Sequence, residues 1–188
     1  MLSMSDAAKK SMGMDIVKIV VGSVTMAVVY GLARELIMAN TDISYYTMYL
    51  PHMSYSQSPT EFGLKWGLAG LWPAGLVVGI LLALCSQMGD KPRLSVGQVL
   101  NMLLKGITGI FIVTMLALAV LLRSNDGKSV DFQPDPSDTS GRFLAVLQAH
   151  TVSNVAGIIV VVWLCYRIFT KRSKMAAPTA PVTSPDVA

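Results

Sequence analysis

Arg142 to Thr170 reads RFLAVLQAHTVSNVAGIIVVVWLCYRIFT, one long and mostly apolar run. Crossing a bilayer takes ~20 mostly apolar residues, and this run is long enough. Its first half carries Gln148, His150, Thr151, Ser153 and Asn154 at a depth where polar groups are costly. Beside them Ala145, Ala149, Ser153 and Gly157 recur every fourth residue, a ladder of small side chains that lets another helix backbone come close.

Three more runs have the same character, from about Ile16 to Met38, Pro59 to Gln87 and Val96 to Leu122. The sequence therefore predicts an all-α integral membrane protein, a four-transmembrane-helix bundle with helices over about 16–38, 59–87, 96–122 and 142–170. Composition agrees. The chain of 188 residues is 53% hydrophobic and only 14% charged, where soluble domains carry about a quarter charged residues. A cytoplasmic N-terminal segment (1–14) and a flexible, Pro/Ala/Thr-rich cytoplasmic tail (171–188) flank the transmembrane domain, 15–170. The first run is read as a retained helix, since it exceeds a signal-peptide core and ends on Arg34 and Glu35.

Helix-breaking and capping residues mark the boundaries. Ser58, Pro59 and Glu61 read as a capping box opening the second helix, and Ser95 with Gln98 as another opening the third. Pro73 removes a backbone hydrogen bond and is expected to kink the second helix. The outer connection 39–58 has no Lys or Arg before Lys65 but holds Tyr45, Tyr46, Tyr49 and Tyr55, so it is read as lying along the membrane interface. The connection 123–141 is hydrophilic, with aspartates out of register for a calcium loop. Lys105, shallow in the third helix, reaches back to the headgroups.

Net charge is +4, and the basic residues gather at segment ends rather than on a face, which speaks against nucleic acid as a partner. An even number of spans puts both termini on one side. Lys9, Lys10, Lys91, Arg93 and the cluster Arg167–Lys174 fall on that side, so both termini are placed in the cytoplasm, the protein being multi-pass in the inner membrane.

Two sets of residues are candidates for function. The first is a helix-packing interface: Ser23, Ala27 and Gly31; Gly63, Gly67, Gly70 and Ala74; and Ala145, Ala149, Ser153 and Gly157. The second is a polar intramembrane site in the outer half of the bundle, formed by Arg34, Glu35, Lys65, Gln148, His150 and Asn154. No catalytic motif, metal-ligand spacing, phosphate loop or nucleophile elbow occurs, and Cys85 and Cys165 are read as packing residues. The sequence calls for no cofactor outright. A haem b, through His52 and His150, or a quinone is the form one would take.

The first functional reading is a non-catalytic accessory or scaffold subunit of a membrane complex. Its small-residue faces would pack against other membrane subunits or a second copy of the chain in the lipid bilayer. The second is a small channel, carrier or haem- or quinone-bearing subunit built around His150.

Overall fold

The computed structural model describes residues 6–49, 58–126 and 141–176. Five helices follow one another: α1 (Asp6–Thr41), α2 (Ser44–Tyr49), α3 (Pro59–Gln87), α4 (Val96–Ser124) and α5 (Gly141–Ala176). All but the short α2 are long and apolar enough to cross a membrane, and no strand occurs among the described residues. The protein is thus an all-helical, four-span membrane bundle. His52, Tyr55, the aspartates Asp131, Asp135 and Asp138 and the tail from 177 lie outside the described residues.

Helix ends differ from the sequence reading in physically simple ways. α1 starts at Asp6 because Ala7, Ala8, Lys9 and Lys10 are good helix formers. α5 likewise runs on to Ala176. At α3, Ser58 makes no side-chain cap bond, so the expected capping box does not form there; Glu61 instead lies 3.7 Å from Lys65, one turn on. Pro59 at the first position starts this helix without needing an amide hydrogen. The box at Ser95 and Gln98 is complete, with bonds of 3.3 and 3.4 Å. α3 passes through Pro73 as one continuous helix.

α1 packs most closely on α3 and α4 on α5, giving two helix pairs joined side by side. Glycines set the first pair. A Cβ on Gly63, Gly67 or Gly79 would stand 2.7–2.9 Å from the backbone of Leu36, Leu32 or Val20 on α1, and one on Gly75 would be 2.7 Å from Ala27 Cβ. Bare backbone at these positions is what allows the approach.

Two apolar cores tie the pairs together, one at each end. Near α2, Met38, Tyr46, Phe62, Leu118, Val146 and Ala149 are buried on one another. At the other end Ile19, Leu82, Leu94, Val99, Leu164 and Ile168 do the same, with Cys85 and Cys165 packed alongside. Arg172 of α5 pins the turn between α3 and α4 there: its guanidinium donates to the carbonyls of Cys85 (2.6 Å), Lys91 (2.8 Å) and Pro92 (2.9 Å). Between the two cores the helix pairs part.

Candidate functional site

About two turns before its end, α1 carries a charged pair that lipid cannot solvate. Arg34 and Glu35 are adjacent in sequence, and both are buried, at 4% and 0% exposure. Adjacent side chains on a helix point in different directions, so both are met only because two other elements, α2 and α5, converge on them. Arg34 folds back to Glu35, donating through Nε (2.7 Å) and Nη2 to Oε1. The second carboxylate oxygen accepts from the Tyr46 hydroxyl, carried by α2. His150 of α5 completes the cluster, its Nε2 lying 3.6 Å from Glu35 Oε2 and 3.5 Å from the Tyr46 hydroxyl.

The aromatic residues around His150 fix its ring. Tyr45 stacks on the imidazole with centroids 4.6 Å apart and planes at 11°, while Tyr46 meets it edge-on at 6.2 Å. α2, only six residues long, is therefore held down by side-chain contacts with α1 and α5 rather than by its own length. Burial, together with the Glu35 carboxylate, pushes the Tyr46 phenol well above its ordinary pKa, so it remains a neutral donor.

On its other side Arg34 faces α5. Nη1 donates to Ser153 Oγ (2.8 Å), which also shares a 2.6 Å hydrogen bond with the Tyr30 hydroxyl. The guanidinium carbon lies 5.4 Å from the Tyr30 ring centroid. Tyr30, Arg34, Ser153 and Asn154 wall the polar end of a cavity of about 630 Å3 between the two helix pairs. The remaining walls are almost wholly apolar, among them Leu71, Val78, Leu103, Ile107, Ile158 and Val161.

Of the residues singled out from sequence, the structure brings Arg34, Glu35 and His150 into one cluster, and Asn154 to the cavity beside it. Lys65 stands apart on the surface with Glu61, and Gln148 pairs with Asn125 of the α4 end at 3.0 Å. His150 lies behind Arg34, under α2, and does not line the cavity. Among the small residues, Gly31, Gly63 and Gly67 meet across α1 and α3. Ala145, Ala149 and Ser153 are buried inside the bundle. The atoms nearest a Cβ on Gly70 belong to its own helix's Trp66, whereas Ser23, Ala27, Ala74 and Gly157 line the cavity. A Cβ on Gly157 would meet nothing within 4 Å.

Sequence reasoning missed Tyr30, Tyr45 and Tyr46 as members of the site. The four tyrosines between residues 45 and 55 were the available signal, but interface affinity explains such a cluster without any contact to α1 or α5. Tyr30 carries no signal of its own. Among the described residues no group of three His, Cys, Asp or Glu side chains stands where it could hold a metal ion.

A scan against protein-family models finds no match, and no curated protein and no solved structure is similar to the chain.

Proposed function

We propose that this chain is a ligand-holding membrane protein, a carrier or cofactor-bearing subunit, whose site is the cavity at the α2 end of the bundle. One observation carries the reading: an apolar cavity of about 630 Å3 ends on Arg34, Tyr30, Ser153 and Asn154. Pockets for small organic molecules run roughly 300–1,000 Å3 and pair apolar walls with a few fixed polar groups. The cluster of Glu35, Tyr46 and His150 supports it from behind by holding the guanidinium in place.

The accessory-subunit reading has less to rest on. Its motive is a surplus of small-residue surface, and Gly63, Gly67, Gly75 and Gly79 are taken up against α1 within the same chain. We place the α2 end on the outer side of the inner membrane and both termini in the cytoplasm. The support is the clustering of Lys91, Arg93, Lys171, Arg172 and Lys174 at the other end.

The test is solvent extraction of the gently purified protein followed by identification of the small molecules released. Enrichment of one lipid-soluble compound over its level in the parent membrane is the expected result. A profile identical to the bulk lipid would overturn the reading.

A further inference from the structure

The polar end of the cavity is lined by donors. Arg34 uses Nε and one N–H of Nη2 on Glu35, one N–H of Nη1 on Ser153 and a further one on Tyr30, so one of the five guanidinium N–H groups is left for another acceptor. Tyr30 and Ser153 share one hydrogen bond between two hydroxyls, which leaves one hydroxyl hydrogen of the pair for another acceptor. The Asn154 side chain has no hydrogen-bond partner among the described residues, and it is exposed on the cavity wall. Its depth is ~20 Å along α5 from Gly141, at 1.5 Å per residue. An amide facing lipid at that depth has no water to satisfy it.

Charge narrows the occupant. Glu35 offsets Arg34, and neither it nor any other carboxylate lines the cavity. An anionic head would thus bring a second negative charge to a guanidinium already shared, at low dielectric, where an unpaired charge is strongly disfavoured. A neutral acceptor suits the donors without that cost. Shape narrows it further. From Arg34 the α1 wall runs to Ser23, ~16 Å toward the middle of the bundle, between apolar side chains. That course matches a single chain lying along the bilayer normal with its head near one interface.

Resting on the reading of the cavity as a binding site, we infer that it takes an uncharged, single-chain amphiphile whose head presents carbonyl oxygens. Arg34 and Asn154 bind the head, and Tyr30 or Ser153 supplies a further donor. Glu35, Tyr46 and His150 are positioning residues for Arg34. An isoprenoid quinone and a monoacyl ester share this chemistry.

Gly157 gives a clean way to close the cavity, because a side chain added there has open space and lies on the wall. Gly109 is its control, equally open but exposed on α4 away from the cavity. Full-length protein in lipid nanodiscs is titrated with a decyl benzoquinone, with a monododecanoyl glycerol and with dodecanoate, and bound ligand is counted by native mass spectrometry. The expected result is one quinone or one ester per protomer, weakened about tenfold or more in Gly157→Leu and severalfold in Asn154→Val, and unchanged in Gly109→Leu. Loss of a single good hydrogen bond is ~0.5–1.5 kcal/mol, or a factor of about two to ten, which sets the Asn154 expectation. Which neutral probe binds names the source. Saturable binding of dodecanoate alone would overturn the neutral-head inference while leaving the cavity a binding site. Binding equal in all variants, or none by any probe, would overturn the inference; a bare protein from the native membrane would remove the parent reading as well.

Discussion

The imidazole of His150 lies flat against the ring of Tyr45, with centroids 4.6 Å apart and planes 11° from parallel. That contact fastens a six-residue helix to the start of a transmembrane helix, and through Tyr46 it closes a buried network on Glu35. The network sits where the helix pairs begin to part, so whatever it stabilises also shapes the mouth of the cavity.

Glu35 is the hub. Removing one partner of a buried ion pair costs about 3–5 kcal/mol, because the other charge is stranded. Glu35→Ala should therefore unfold far more readily than the wild type in denaturant titrations in mild detergent. An Ala variant within about 0.5 kcal/mol of wild type would mean that the cluster contributes little.

Tyr46 gives a pH signature with a definite sign. Burial and Glu35 raise the folded phenol pKa above the ordinary ~10. Below pH ~10 both folded and unfolded phenols are protonated, and the stability from this group is fully present. Above it the unfolded chain releases a proton that the folded chain keeps, so stability falls by up to about 1.4 kcal/mol per pH unit. Tyr46→Phe should lack that component above pH ~10, while losing ~1.5–3 kcal/mol at neutral pH with its bond to a charged acceptor. Parallel curves for the two proteins above pH ~10 would count against it.

At the other end Arg172 has a structural duty that its charge alone does not describe. It donates to three carbonyls around the α3–α4 turn, and a lysine at this position keeps the charge but not the planar fork. Arg172→Lys should speed hydrogen exchange in residues 88–95 and leave membrane topology unchanged. Exchange at the wild-type rate would contradict the clamp.

Two glycines offer opposite outcomes for the same change. A Cβ on Gly67 would sit 2.7 Å from Leu32 Cα, a backbone atom with nowhere to move, so Gly67→Leu should force α1 and α3 apart. Overpacking typically costs ~1–3 kcal/mol, and here the obstructing atoms are backbone. Gly157→Leu should be tolerated within about 0.5 kcal/mol. Thermal unfolding of the two variants side by side checks both.

The spans were legible because length and apolarity are local properties, and the runs ending at Met38 and Gln87 needed no tertiary information. The close approach at Gly63 and Gly67 was also written in the four-residue spacing. What that spacing could not carry was the partner: Gly157 extends the same kind of ladder and yet faces open space, since contact depends on where the opposing helix runs. The polar cluster was half legible. Glu35 and His150 stand out in apolar surroundings, but Tyr46 joins them only through the fold of α2. Lys65, equally conspicuous in sequence, is satisfied locally by Glu61 one turn away. Arg172 looked like one of several stop charges, and nothing in its neighbours in sequence marks it as the buried one.

The most direct measurement is native mass spectrometry of the protein extracted gently from its own membrane, wild type beside Gly157→Leu. A protomer carrying one added small mass is expected in the wild type and a bare protomer in the variant. Wild-type protein without any added small mass, or an added mass that survives in Gly157→Leu, would contradict it.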